Sequence, residues 1–166
     1  MIMPAICRVM DAIPDLQFEL LGSIAMPSGL DRYGHRIRKL PPIADYADFI
    51  PTLRSIGWWV GLAPLEDNIF NRCKADTKWV EYSLAGIATI TSNLPVYQRA
   101  LDNRSAIAAD STNDWASAMT LLLDNPRLRL NMIARAQRQL HDHYSHASLR
   151  EQLLRIFDHA FALRRE

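Results

Sequence analysis

Lys74, Lys78 and Glu81 fall within one short stretch of the segment "APLEDNIFNRCKADTKWVEYSLAGIATITSN", residues 63–93. A helix beginning near Asp76 places Lys78 and Glu81 three positions apart on one face. Lys74 lies just before it, in the loop or first turn. Unpaired backbone N–H groups at such a helix start attract an anion such as a phosphate, and the two ammonium groups add positive charge there. Glu81, one turn deeper, suits a pair of neighbouring hydroxyls, because both carboxylate oxygens only accept. Hydrogen bonds to charged groups contribute about 1.5–3 kcal/mol each. These parts describe a nucleotide diphosphate, with pyrophosphate on the amides and lysines and ribose on Glu81. The plainer alternative is a surface ion pair between Lys78 and Glu81, worth about 0.5 kcal/mol or less.

The elements around this segment alternate between helical and strand periodicity. "PAICRVMDAI" spaces Ile6, Val9, Met10 and Ile13 as a helix and stops at Pro14. "LQFELLGSI" alternates as a strand, and Met26 to Arg36 reads as loop. "HRIRKL" is a short strand. "DYADFIPTLRSI" is helical, with Pro51 expected to start a new turn or bend it. "GWWVGLAPL" reads as an apolar strand buried on both faces, with Trp58 and Trp59 facing opposite sides of the core. After the helix that carries Glu81 come a strand at "IATITS", a short helix at "PVYQRAL" and a strand at "SAIAA". Residues from about 111 to 166 read as helical. Ser111 and Asp114 have capping-box spacing, Pro126 sits at a tolerated helix start, and Ser145 is placed to cap a last helix. That helix has an apolar stripe of Leu149, Leu153, Ile156, Phe157, Ala160 and Phe161. Such alternation predicts an α/β fold, a Rossmann-like parallel sheet of about five strands with helices on both faces. Ligands bind such sheets outside the carboxyl ends of the strands, where the loop after "WWVGLAPL" begins.

The composition is 49% hydrophobic and 22% charged, ordinary for a globular chain of 166 residues read as a single domain, 1–166. A net charge of +1 gives no electrostatic case for nucleic acid as a partner. No apolar run approaches the ~20 residues of an integral membrane segment, and no signal-peptide pattern opens the chain. Cys7 and Cys73 read as reduced thiols, which with the other features predicts a cytoplasmic location. His141, Asp142, His143 and His146 cluster, but His141 and His143 point to different helix faces, so no metal is expected. Asp45 and Asp48 sit in no catalytic pattern and read as an N-cap or surface acids. No catalytic residue is assigned. The closing "LRRE" reads as a solvated terminus.

The quoted segment resembles the C-terminal, donor-binding domain of group 1 glycosyltransferases of the GT-B fold. There a strand ending in proline enters a loop with N-x-F-N-x-x-K-S. A helix with K-x-x-E-Y follows, then a glycine turn and a strand ending in Ser or Thr. The matching residues are Asn68, Phe70, Asn71, Lys74, Lys78, Glu81, Tyr82, Gly86 and Ser92. Weaker similarity extends from about Ala12 to about Tyr144. The resemblance implies that Glu81 is the second glutamate of the family's E-x7-E motif, which binds the donor ribose. The first falls at Cys73, so the usual spacing fails, and Glu66, Asp67 and Asn71 stand as alternatives for the sugar contacts. Ala75 replaces a frequent Ser and removes one phosphate hydroxyl. Base contacts fall near Pro42 to Tyr46, around Ile43, and are largely backbone.

The resemblance also implies what is missing. The family's acceptor domain is not present, and the donor domain's opening strand, glycine turn and diphosphate-clamping Arg/Lys pair have no counterpart. The expectation is a fragment, a truncated gene product or a self-associating domain. Its strands would close the gap, borrow a strand from a partner or leave the gap open. The implied function is donor binding, with sugar transfer from a UDP- or GDP-linked donor to an acceptor hydroxyl in glycan or polysaccharide synthesis. No cofactor or metal is implied, and the isolated chain is expected to be inactive or nearly so. Its partners would be the nucleotide sugar and an acceptor domain in the same or another chain. The alternative from another class is a noncatalytic, degenerate Rossmann-like module that forms a homodimer. A nicotinamide-binding reading is disfavoured by the missing glycine fingerprint.

Overall fold

The computed structural model describes residues 2–163; most of the closing "LRRE" lies outside them. Helix α1 (Met3–Ala12) starts with Pro4 in its first turn, where the missing N–H costs nothing. Strands β1 (Phe18–Leu21) and β2 (Ile37–Leu40) follow, then α2 (Tyr46–Ile56) and β3 (Val60–Ala63). A short turn of helix, α3 (Ile69–Arg72), precedes α4 (Thr77–Ala85) and β4 (Ala88–Ser92). Helix α5 (Gln98–Asp102), β5 (Ala106–Ala109), α6 (Thr112–Asp124), α7 (Pro126–Tyr144) and α8 (His146–Leu163) complete the order.

All pairings are parallel, as the alternation predicts, but the five strands do not make one sheet. β1 pairs with β2, and β3, β4 and β5 form a separate three-stranded sheet in that order. The gap expected in the sheet is left open. Each sheet is therefore smaller than the five-stranded one anticipated. Helices cover both faces. Ala88 and Ile90 of β4 join α1 and α6 in one core, around Trp115, Met119 and Leu122. On the opposite face Ala63 and Ala106 pack with Trp79, Ala136 and Leu140. β4, the central strand of the three, is buried along its whole length.

Several local expectations hold in atomic detail. Ser111 and Asp114 form the reciprocal capping box of α6, Pro126 opens α7, and Ser145 Oγ accepts from Ser148 N at 3.2 Å. Asp45 is the N-cap of α2 and accepts from Ala47 N at 2.9 Å. Others are corrected. Helix α2 runs from Tyr46 to Ile56 with Pro51 inside it, so Pro51 does not end it. The Met26–Arg36 loop contains a 3-10 segment, Asp31–Arg36, kinked at Gly34. From it Arg36 donates to the carbonyls of Met10, Ile13 and Pro14, closing the C-terminus of α1 with a cation. Trp58 and Trp59 precede β3 instead of lying in it. Trp58 is half-buried, whereas Trp59 is exposed, its ring stacked under the Arg129 guanidinium at 4.7 Å. The apolar stripe of α8 is also exposed, Phe157 and Phe161 included. Among the described residues no helix is long and apolar enough to cross a membrane.

Gly61 shows how tightly the layer behind β3 is built. A Cβ there would lie 2.6–2.8 Å from ring carbons of Tyr82. Tyr82 in turn donates to the Leu62 carbonyl at 3.3 Å. Gly61→Ala is expected to cost about 1–3 kcal/mol through overpacking, lowering the melting temperature by roughly 3–10 °C. In a Tyr82→Leu background the same change should cost much less, which a thermal double-mutant cycle would read.

Candidate functional site

Helix α4 begins where the sequence places it, with Asp76 at the N-cap. Asp76 does not cap its own helix. Its carboxylate accepts a short hydrogen bond from the Tyr144 hydroxyl of α7, and no side chain caps the first turn of α4. The N–H groups at this helix start therefore have no side-chain acceptor. The helix is held from behind by Trp79, which is fully buried. Its indole donates to the Ser105 carbonyl at 3.4 Å and lies 5.9 Å from the Tyr144 ring.

Lys78 and Glu81 meet on one face, Nζ to Oε2 at 2.8 Å. The pair is not a surface pair in the ordinary sense. The Lys78 side chain is 55% exposed, but that of Glu81 is only 7% exposed. Lys78 also lies over the Phe49 ring at 5.6 Å, and Lys74 over Phe70 at 4.8 Å. Lys74, Ala75, Thr77 and Lys78 line one end of a cleft of about 1190 Å³, next to Pro64 and Leu65 at the carboxyl end of β3. Glu81 does not line the cleft itself; it reaches it through Lys78.

The remaining candidates are placed differently. Asn71 is buried, its Nδ2 donating to the Glu66 carbonyl at 2.9 Å while its backbone N–H donates to Asn68 Oδ1 at 2.9 Å. It shapes the loop. Glu66 is exposed, and Asp67 pairs with Arg72, whose guanidinium holds the carboxyl below its usual range. Glu66, Asn71 and Ile43 lie outside the cleft lining. Ser92, at the end of β4, exchanges two 2.8 Å hydrogen bonds with the backbone of Leu65 and so fixes the loop that leaves β3. Thr77 was missed from the sequence. It is the first residue of α4 and brings a hydroxyl to the cleft two positions after the one lost at Ala75. The signal was a Thr directly after an N-cap.

Burial and the neighbouring Asp76 charge push the Tyr97 phenol up to about 12. Burial and the hydrogen bond to Asp76 push Tyr144 up to about 12 as well. Tyr82 is raised too, by burial first and then by the Glu81 charge. Each phenol is thus favoured neutral in the fold. The associated stability is complete below the ordinary tyrosine value of 10.0 and is lost as pH rises from there through about 12. Urea midpoints should therefore fall between about pH 10 and about pH 12. Tyr144→Phe should make that fall shallower.

A parallel α/β domain with a lysine-flanked, uncapped helix start at the carboxyl edge of its sheet belongs to the Rossmann-like class that receives ligands at that edge. Its family is more specific. Residues 4–155 match the glycosyl transferase-like family, and the chain belongs to it. Comparison with curated proteins gives no match.

Proposed function

We propose that this glycosyltransferase-type domain binds the donor, a UDP- or GDP-linked sugar, for transfer to an acceptor hydroxyl in glycan or polysaccharide synthesis. The observation that carries the reading is Glu81: a buried carboxylate one turn below an uncapped helix start, paired with a lysine that faces the cleft. Burying a charge is costly unless it is paired, and a surface ion pair does not require it. A bound diphosphate would lie on the first-turn amides of α4, with Lys74, Lys78 and the Thr77 hydroxyl beside it. The ribose diol would then take the Glu81 oxygens, with Lys78 turning from the carboxylate to the phosphate. In transfer, charge developing on the leaving diphosphate would be stabilised by the same amides and cations. The acceptor site would come from another domain, in the same or another chain.

Calorimetric titration with UDP, GDP and their sugars tests the proposal. Saturable binding of one of them, weakened by Lys74→Ala and Lys78→Ala and by added salt, supports it. A folded protein that binds none of them overturns it. A noncatalytic self-association module is the second reading. It is favoured by the exposed apolar stripe of α8, and a concentration-dependent dimer in sedimentation velocity without nucleotide binding would select it.

A further inference from the structure

Lys74, Ala75, Thr77 and Lys78 line the cleft, yet Asp76, in the middle of that run, does not. Aspartate at an N-cap ordinarily accepts from the N–H groups of its own helix. Elsewhere in this chain N-cap side chains do so: Asp45 accepts from Ala47 N at 2.9 Å, Asn68 from Asn71 N at 2.9 Å and Ser111 from Asp114 N at 3.1 Å. Asp76 accepts instead from the Tyr144 hydroxyl of α7, 68 positions away. Its backbone goes with its side chain. At φ −77° and ψ 30° it lies outside the extended region that capping residues occupy, where Ser111 sits at φ −94° and ψ 164°. The phenol that draws Asp76 away is held by other elements. Its ring lies 5.9 Å from the buried Trp79 ring, and the Arg99 guanidinium stands over it at 5.8 Å.

We infer that Tyr144 is a positioning residue for the donor's diphosphate. By holding the Asp76 carboxylate against α7, it keeps that acid from capping α4 and leaves the first-turn amides open to phosphate. The hydroxyl itself touches no ligand. The start of α4 carries two ammonium groups, Lys74 and Lys78, and two carboxylates, Asp76 and Glu81, of which Glu81 is already paired with Lys78 at 2.8 Å. An Asp76 carboxylate turned onto the N–H groups of Lys78 and Trp79 would take the place of a phosphate oxygen. It would also set a negative charge beside the lysines, where an anion is otherwise favoured. The identity of the ligand rests on the donor-binding reading above, whereas the state of the amides does not. A bond that merely ties α7 to α4 is the structural alternative, and removing the hydroxyl separates the two by sign.

Tyr144→Phe keeps the ring against Trp79 and removes only the hydroxyl. Amide exchange is followed by NMR on the full chain without ligand. In Tyr144→Phe the Lys78 and Trp79 amides should exchange about tenfold more slowly, because Asp76 becomes their acceptor. Tyr144→Phe with Asp76→Ala should return them to the native rate. Unchanged or faster exchange at both amides in Tyr144→Phe overturns the inference, since a lost structural tie can only loosen the helix start. Calorimetry with UDP or GDP, whichever the native chain binds, reads the consequence. Tyr144→Phe should weaken binding about tenfold, and the double variant should recover to within about twofold of native. A double variant that binds no more tightly than Tyr144→Phe overturns the inference. A native chain that binds neither nucleotide ends the donor-binding reading and the ligand named here, while the amide rates still decide whether Tyr144 holds the helix start open.

Discussion

Trp79→Ala is expected to destabilise the domain by about 3–5 kcal/mol, the cost of emptying a large buried aromatic site, and to lower the melting temperature by roughly 6–20 °C. The indole is fully buried and belongs to the core formed by α4, α7 and the three-stranded sheet. Its removal leaves a cavity lined by Ala136 and Leu140 on a helix that cannot easily collapse inward, because Tyr144 is tied to Asp76. The same change frees the Ser105 carbonyl from its indole donor. Trp79→Phe keeps most of the ring volume and loses only that donor, so it should cost much less. The two variants separate packing from hydrogen bonding in thermal or urea unfolding. Trp79 follows Lys78 directly, so the alanine variant should also loosen the start of α4. Exchange of the α4 amides would show that as an increase larger than the global loss of stability explains.

The legibility of the chain followed the range of the forces involved. Local chemistry was readable. The α6 capping box, the Asp45 cap and the α4 start near Asp76 depend on residues within four positions of each other. Lys78 and Glu81 could be placed on one face from spacing alone. What was not readable is how deeply Glu81 is buried, which depends on the layer packed around α4. The diversion of Asp76 to Tyr144 joins residues 68 positions apart and has no local signature. Hydrophobicity misled at positions that the other described elements leave uncovered. Trp59 and the α8 stripe look like core by type and spacing, yet they are exposed. The short helical turn at Ile69–Arg72 was hidden in a polar loop, and its one local cue was Asn68 accepting from Asn71 N. The alternation of strands and helices gave the parallel order, while the division into two sheets came from the open gap between β1 and β3.

Glu81→Ala should remove donor affinity while leaving the domain folded, if the proposed ribose contact is correct. The carboxylate would supply two charge-assisted acceptors, each worth about 1.5–3 kcal/mol. Their loss predicts a fall in affinity of at least about a hundredfold, since each ~1.4 kcal/mol is tenfold. The fold should tolerate the change. Lys78 is more than half exposed and stays solvated without its partner, so no unpaired buried charge is left behind. Glu81→Gln gives the sharper test. Glutamine keeps the length and one acceptor oxygen but puts a donor where the diol also donates. It should therefore bind a ribonucleotide diphosphate nearly as poorly as the alanine variant, while a purely structural role would be rescued by it. The 2′-deoxy nucleotide adds a control on the ligand side. It lacks one of the two hydroxyls, so its affinity for the native protein should drop and should change little further in Glu81→Gln. If calorimetry finds equal ribo- and deoxynucleotide affinities, or finds Glu81→Ala binding as tightly as the native chain, Glu81 is a structural partner of Lys78 and the ribose contact is wrong.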